Sequence, residues 1–516
     1  MVMNDLYRME GKQVETLFSF DEEVLKKALK NIYSKDFHPL TEIEENLFDA
    51  TWKTINGAAD KGFGERKPDD PDYEFYQELH MNNAVFAAFK VHRAQNDMAA
   101  LLLDKDGSLK PFEQWVKEAM PIADHQMRRW LRTEYDTAVI RAHQAADWRQ
   151  FEREKDVLPN LKWMPSTSVT PGADHKLFWG TIRPIDDPFW NEHRPGDRWN
   201  CKCTLSSTDE SPTAIPGSGL GNKPDPGLEN NPGKDAKLFS DKHPYQKEAH
   251  PEAKKTVDRM AERLKEMIAE MPDNLTLEEK EAIARHNLKM EKALGITKGK
   301  PMSVEEADKQ NANPKHKEQF IPDPKGAYQD RQRNRFSKNP DFKPSDRQYG
   351  INCQTCAPAY ALRLKGFDIT AKGNTPGSKL DYLSQGVNAW EVWKNTDGTQ
   401  ARHTSITGWM TSKQYMKMTP KRYREYFEEI CKDEGVYELS IGWKAGGGHA
   451  TILQRFKDGT LRYIEPQHDN SKGSGNEWKD VKYLCESGKS NPHYCRGIMR
   501  IDNKLFDIDF IDIFDK

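Results

Sequence analysis

The sequence predicts a multidomain chain: a mostly α-helical N-terminal part with a small α+β core, a disordered and helical connector, and a C-terminal α+β domain. Its 516 residues are too many for one hydrophobic core. Apolar residues follow helical spacing through residues 1–160, whereas Pro, Gly, Ser and Asp dominate much of 207–345. Alternation of apolar and polar residues, which is typical of strands, recurs in 346–516.

Bulk composition narrows the function classes. The formal charge is −3 and the Lys and Arg residues are dispersed, so we expect only indirect contact with nucleic acid. The first 18 residues lack the apolar segment of a signal peptide, and no run of about 18 apolar residues occurs. We therefore expect synthesis in the cytoplasm and no membrane partner. The seven cysteines do not form a small-domain disulfide framework, which favours reduced thiols.

Residues 1–160 are predicted to be mostly helical. Asp21 is a plausible N-cap for the first helix, and a later, highly charged helical segment is interrupted at Pro121. The apolar positions that define the first helix are Phe20, Val24, Leu25, Ala28 and Ile32. No catalytic constellation is evident here, so a helical bundle or packing surface is the favoured interpretation.

Residues 161–206 change character, because prolines, tryptophans and turn residues replace helix formers. Four short motifs follow in order: Lys162-Trp163, His175 to Gly180, Asp186-Asp187-Pro188-Phe189-Trp190 and Asn200-Cys201-Lys202-Cys203-Thr204. With a helical lead-in from about residue 110, this set resembles the phage Mu F-like minor head proteins. The resemblance implies a portal-associated protein of the virion, made in the bacterial cytoplasm, with portal and capsid proteins as partners.

The same segment contains residue types that bind zinc. Cys201, Cys203, His175 and His193 offer thiolates and imidazoles, which suit a tetrahedral zinc site. However, a C-x-C pair is tighter than the usual spacing of two to four residues. Buried thiols and a hydrogen-bonded histidine in a loop-rich fold are therefore favoured, and no metal or other cofactor is predicted.

Residues 207–345 are predicted to be a linker. Its first part is too rich in Pro, Gly, Ser and Asp to bury enough apolar surface to order itself. A helical island over residues 250–296 interrupts it, with Thr276 and Glu279 spaced as a capping box.

Residues 346–516 carry the candidate chemistry. Cys353 and Cys356 stand at the start of an amphipathic helical run. His449 opens a predicted hairpin that turns at Asp458-Gly459 and ends at Glu465 and Gln467. A catalytic cysteine needs a base or a helix N-terminus to activate it, and a carboxylate or amide commonly orients that base.

In this part of the chain, the motif N-C-Q-x-C-x-P-A-Y, then G-H, then E-P-Q resembles the papain-fold toxin domain related to protein-glutamine deamidases, over about 170 residues. The resemblance implies Cys353 as nucleophile, His449 as base and Glu465 as orienting acid. The family more often has Asp at the last position, so Gln467 remains open as the orienter or as an oxyanion contact.

The nucleophile has an alternative within the same motif. Pro358 is comfortable only in the first turn of a helix. If Thr355 were the N-cap, Cys356 would be the first helical residue, so capping favours Cys356 whereas the resemblance favours Cys353. The remaining cysteines, Cys431, Cys485 and Cys495, lack a histidine context and are predicted to be structural.

Together these observations predict a phage-type minor head protein that carries a cysteine-dependent toxin. The expected reaction is deamidation of glutamine side chains of a target protein, and an immunity protein is a possible further partner. One alternative is a papain-like cysteine peptidase that acts in virion maturation. The other is a purely structural head protein whose C-terminal domain is a degenerate binding module.

Overall fold

The computed structural model describes residues 21–169, 175–216, 223–319, 348–385, 388–443, 448–467 and 493–516. The chain divides into two compact units, Met1–Glu266 and Met267–Lys516. The predicted multidomain organisation, with helices and small sheets, is confirmed. Within the described ranges, no helix combines the length and apolar character that a membrane span requires.

The first unit is built on long helices, as the sequence predicts. They are α1 (Glu22–Tyr33), α2 (Glu45–Phe63), α3 (Tyr73–Ala99), α4 (Phe112–Asp124) and α5 (Leu131–Glu154). Asp21 caps α1 by accepting a hydrogen bond from the Glu23 amide, as predicted, whereas Phe20 lies outside the described residues. Pro121 lies inside α4, and a π-helical turn over His125–Trp130 joins α4 to α5.

A small antiparallel sheet follows the helices. Strands β1 (Asn160–Met164), β2 (Ile182–Pro184) and β3 (Thr204–Thr208) are ordered β2–β1–β3. A 3₁₀ turn over His175–Phe178 and the short helix α6 (Phe189–Glu192) lie between these strands in the chain. The core that they enclose is mainly aromatic and contains Trp148, Trp163, Phe178, Phe189 and Trp190. This agrees with the small α+β core predicted for residues 161–206.

The segment after β3 is more ordered than a linker, in contrast to the prediction for 207–345. It forms α7 (Pro232–Asp235) and α8 (Pro244–Lys247), and buries Leu228, Leu238 and Phe239. The buried Arg141 guanidinium of α5 donates to the main-chain carbonyls of Gly196, Leu228, Asn230 and Leu238. One arginine thus supplies the donors that this loop lacks internally, and composition alone does not reveal such a contact.

The predicted helical island at 250–296 is confirmed as α9 (Pro251–Ala269) and α10 (Leu277–Leu294). Thr276 and Glu279 form the predicted capping box. After α10 come α11 (Val304–Ala307) and α12 (Lys309–Ala312). Residues of α10, α11 and α12 share the core of the second unit, so this stretch is not a linker either.

The second unit contains the C-terminal elements. Its further helices are α13 (Cys353–Leu364), α14 (Lys379–Leu383), α15 (Ile406–Ser412) and α16 (Pro420–Ile430). Its strands are β4 (Thr370–Ala371), β5 (Trp393–Lys394), β6 (Thr404–Ser405), β7 (Gly435–Trp443), β8 (Gly448–Arg455), β9 (Leu461–Ile464), β10 (His493–Arg500), β11 (Leu505–Phe506) and β12 (Phe514–Asp515).

A five-stranded antiparallel sheet of order β6–β10–β7–β8–β9 forms the centre of this unit. One apolar core contains residues of α13 together with Ala450 and Ile452 of β8. A second core contains residues of α15 and α16 together with Leu453 of β8. Ile452 and Leu453, which are consecutive in β8, therefore enter different cores, because successive side chains of a strand point to opposite faces.

The predicted hairpin is confirmed as β8 and β9. They pair antiparallel, and Gly459 in the turn has φ +82°, a left-handed conformation that favours glycine. At the start of β8, a Cβ on Gly448 would lie 2.7 Å from the Ile441 carbonyl oxygen. Of the glycines that precede His449, 446 and 447 lie outside the described residues.

Glu438 of β7 makes the stability of the protein depend on pH. Burial raises the pKa of this carboxyl from 4.5 to about 7, and the 2.8 Å hydrogen bond from Trp393 only partly opposes the shift. Because the pKa of Glu438 is higher in the folded than in the unfolded protein, its contribution to stability is fully present below pH 4.5. The contribution is lost as the pH rises through 7. Glutamine does not titrate, so Glu438→Gln avoids this loss. The unfolding free energy of the variant minus that of wild type should therefore rise by on the order of 3 kcal/mol from pH 4.5 to pH 8.

Urea unfolding at pH 4.5 and pH 8 measures this change. Glu278→Gln, at an exposed position of α10, is the matched control and should show no comparable gain with pH. An equal response of the two variants would contradict the assignment to Glu438.

Candidate active site

Cys353 is the first residue of α13 and is half-buried. The helix begins at Cys353, so the expectation that Thr355 is the N-cap is wrong. Thr355 lies inside the helix, where its hydroxyl donates to the Ile513 carbonyl at 3.1 Å. The first amides of a helix lack acceptors within the helix, which leaves hydrogen-bond donors beside Cys353.

Cys356 lies in a different environment although it belongs to the same helix. Its side chain is fully buried in the core of the second unit. Burial raises the pKa of the Cys356 thiol well above 9, and the nearby Cys353 and Glu465 act in the same direction. Burial therefore favours a packing role for Cys356 and leaves Cys353 as the thiol that a reagent can reach. Cys431 is also buried, in agreement with a structural role.

His449 is the second residue of β8 and is nearly buried. Its Nε2 lies 2.7 Å from Glu465 Oε2, and Cys353 is close enough to the ring to influence its pKa. Burial by itself lowers the pKa of His449. The Glu465 charge, the interaction with Cys353 and the hydrogen bond to Glu465 outweigh burial, so the pKa is raised well above 6.5. With Nε2 bound to Glu465, Nδ1 is the nitrogen left to face Cys353.

Glu465 is held in place by its own neighbours. The Tyr463 hydroxyl donates to Oε2 at 2.8 Å, and the backbone N–H of Gln467 donates to Oε1 at 3.0 Å. Both carboxylate oxygens are thus engaged, and the residue is only 4% exposed. A buried and fixed carboxylate is well suited to orient the His449 ring.

Gln467 links the end of the hairpin to the start of α13. Its side-chain amide donates to Asn352 Oδ1 at 3.3 Å, and its carbonyl accepts from Asn313 at 2.8 Å. Asn352, which is completely buried, also donates to Asn313 and to the Lys372 carbonyl. The structure thus brings together all four predicted residues, with Glu465 on His449 and Gln467 on the residue before Cys353.

Three residues of this network were not found from the sequence. Asn352 is adjacent to Cys353 in the motif, which is a usable signal for a positioning role. Tyr463 of β9 lies two residues before Glu465, a spacing that was also identifiable in the sequence. Asn313 lies in the segment interpreted as linker, so nothing near it in the sequence points to the site.

The first unit contains a second cluster of thiols. His175 Nδ1 lies 3.1 Å from Cys201 Sγ and 3.8 Å from Cys203 Sγ, and all three residues are buried. His175 Nε2 lies 2.8 Å from Asp197 Oδ1. The ring of His193, the fourth residue considered for zinc, stacks on Phe178 at 4.8 Å between centroids.

The cluster favours one negative charge on its sulfurs. The hydrogen bond from Cys201 lowers the pKa of Cys203 to about 4 despite burial, with His175 and the indoles of Trp163 and Trp179 assisting. Within the described residues, neither indole N–H makes a hydrogen bond of ordinary geometry. The same contact with Cys203, together with burial, raises the pKa of Cys201 well above 9.

Comparison with known proteins shows which family the part of the chain that contains this second cluster resembles. Residues 108–206 match the family model described as "Phage Mu protein F like protein". These residues form a phage Mu F-like domain. The "Mu-like prophage FluMu F protein" of Haemophilus influenzae is 30% identical over 82 residues, which are 16% of this chain and 20% of that relative. No solved structure matches the chain.

The Mu F-like domain thus contains α5, the three-stranded sheet and the second thiol cluster. It confirms, at the level of the family, the resemblance seen in the four motifs. The matched part covers about a fifth of the relative's length, so the match describes this domain and not the whole protein.

Alkylation tests the difference between the two cysteines of α13. Iodoacetamide should modify Cys353 at least about tenfold faster than Cys356, because only Cys353 is accessible beside a helix start and a histidine. The rates are measured by mass spectrometry of the peptide that contains both residues. His449→Ala should slow the modification of Cys353. Equal rates for Cys353 and Cys356 in the folded protein would contradict the described burial.

Proposed function

We propose that this protein is a phage-type minor head protein whose second unit is a cysteine-dependent amidohydrolase of papain-like architecture. The observation that supports the enzyme is the grouping of Cys353, His449 and Glu465, with the cysteine at a helix start, His449 on β8 and Glu465 directly after β9. We propose protein-glutamine deamidation as its reaction and a toxin or effector role for it.

The head-protein part of the proposal is supported by the Mu F-like domain at 108–206. In this proposal the chain is located in the virion and its partners are portal and capsid proteins. A target protein is the substrate of the second unit, and an immunity protein that protects the producing cell is a further partner.

The reaction begins with proton transfer. His449 Nδ1 takes the proton from Cys353 Sγ, and the thiolate attacks the carbonyl carbon of a glutamine side chain. The negative charge that develops on the oxygen is stabilised by backbone amides at the start of α13, those of Cys353 and Gln354. His449 returns the proton to the amide nitrogen, and ammonia leaves.

Hydrolysis completes the cycle. Water, deprotonated by His449, attacks the thioester carbon and releases glutamate and the Cys353 thiolate, which recovers the proton. Glu465 holds the imidazole in one tautomer and stabilises the imidazolium at each stage. Cys353 is the nucleophile and His449 the general acid and base, while Gln467 and Asn352 are positioning residues.

Expression of the full chain in bacteria tests this assignment. Wild type should convert specific glutamines of a host protein to glutamate, with a mass increase of about 1 Da per site. Cys353→Ala should lower that conversion by about 10³-fold or more and abolish toxicity, because it removes the nucleophile. Quantitative mass spectrometry of the host proteins provides the measurement.

Cys356→Ala is the matched control, since it removes a thiol from the same helix and should leave conversion largely intact. If host or virion proteins are cleaved and no 1 Da change is found, the peptidase alternative is correct and deamidation is not. If the chain folds and enters particles but causes neither deamidation nor cleavage, the remaining alternative is a structural head protein with a degenerate binding module.

The virion location makes a separate prediction. Purified particles from cells that produce this chain should contain it together with portal and capsid proteins. Cys353→Ala should be packaged to the same extent as wild type, because the substitution lies outside the Mu F-like domain. Absence of the chain from purified particles, shown by quantitative proteomics, would rule out the head-protein assignment.

A further inference from the structure

The second thiol cluster has the composition of a metal site. His175 Nδ1, Cys201 Sγ and Cys203 Sγ all lie within 4.8 Å of one another, and the three side chains are buried. Each offers a ligand atom that zinc prefers, because zinc binds thiolate sulfur and imidazole nitrogen. The residues come from two separate parts of the Mu F-like domain, the 3₁₀ turn at His175–Phe178 and the approach to β3.

The distances fit a tetrahedral ion closely. Bond lengths of about 2.3 Å to sulfur and 2.0 Å to nitrogen imply a nitrogen–sulfur separation of about 3.5 Å at a tetrahedral angle. The observed separations from His175 Nδ1 are 3.1 Å to Cys201 and 3.8 Å to Cys203, one on each side of that value. An ion can therefore be accommodated with shifts of a few tenths of an ångström.

The histidine is oriented as a metal ligand requires. Its Nε2 lies 2.8 Å from Asp197 Oδ1, so a proton on Nε2 leaves the Nδ1 lone pair directed at the thiols. Asp197 is itself buried and forms an ion pair with Arg198 at 3.3 Å. A carboxylate on the far nitrogen of a ligating histidine is a common outer partner of zinc sites.

The objection that C-x-C is too tight a spacing does not hold for this backbone. Asn200 adopts φ +58°, so the chain turns immediately before Cys201. Lys202, between the two cysteines, is only partly buried, whereas both thiols lie among the aromatic residues of the domain core. Both cysteines are free thiols.

We propose that His175, Cys201 and Cys203 bind one zinc ion, with Asp197 as the residue that orients His175. The ion joins the 3₁₀ turn to the chain that leads into β3 and stabilises the Mu F-like domain. The fourth position of the tetrahedron is left to a ligand outside this set. The burial of all three side chains favours a structural role over a catalytic one.

Metal analysis of the full chain tests the proposal. The chain is produced without a histidine tag, purified in a reducing buffer and dialysed free of loose metal. Elemental analysis should find about one zinc per chain, because two thiolates and an imidazole in a buried site hold the ion firmly. After removal of zinc, Co²⁺ should restore the site and show thiolate-to-cobalt charge-transfer absorption together with the visible bands of tetrahedral cobalt.

Variants identify the ligands. Cys201→Ser, Cys203→Ser and His175→Gln should each lose zinc, whereas Cys431→Ser, which removes a buried thiol outside the site, should keep it. Asp197→Asn should weaken zinc affinity roughly 10- to 100-fold without removing a ligand. If a ligand variant does not fold, two measurements on the wild-type chain still test zinc binding. These are its cobalt spectrum and the decrease in its melting temperature when a chelator is added.

Three results would overturn the proposal. One is a folded, reduced wild-type chain that retains no zinc after dialysis and gives no thiolate–cobalt absorption. The second is a disulfide between Cys201 and Cys203 in the protein isolated from cells, shown by mass spectrometry. The third is equal zinc content in Cys203→Ser and Cys431→Ser.

Discussion

The pairing of β8 with β9 is the constraint on which the candidate active site depends. The register places Ile452 opposite Ile464, and the Thr451 hydroxyl donates to the Ile464 carbonyl at 2.7 Å. This pairing returns the chain so that Glu465 meets His449. A slip of one residue would move every side chain of the strand to the other face and separate the pair. Since β8 contributes to two different cores, such a slip would also move side chains out of the core in which each of them packs.

Packing of α13 against the same strand places the third member of the site. The Tyr360 hydroxyl donates to Gln454 of β8 at 2.7 Å, and Asn352 Oδ1 accepts a hydrogen bond from the side-chain amide of Gln467. These contacts fix the helix start, and so Cys353, to the end of the hairpin. Desolvation there raises the pKa of Cys356. At His449 desolvation lowers the pKa, but the Glu465 charge together with the interactions with Cys353 and Glu465 outweighs it.

Local patterns allowed the sequence to predict the hairpin, the Asp21 cap, the Thr276 capping box and the order of Cys353, His449 and Glu465. Contacts between distant segments were not predictable in the same way. Arg141 orders a Pro- and Gly-rich segment by hydrogen bonds to three of its carbonyls, 87 to 97 residues away. Thr355 was a poor guide to the helix start because tertiary packing of Cys356 and Pro358 outweighs the local preference.

The two thiol clusters show how burial decides the chemistry of one set of residue types. Each contains a histidine with one ring nitrogen on a buried carboxylate, Asp197 in the first unit and Glu465 in the second. In the second unit the neighbouring thiol is single and half-buried, which suits the nucleophile proposed above because a substrate carbonyl must approach it. In the first unit the other nitrogen faces two buried thiols, which suits the proposed zinc site because the pair excludes a substrate and offers two sulfur ligands. Accessibility and thiol number therefore separate the proposed nucleophile from the proposed metal ligands.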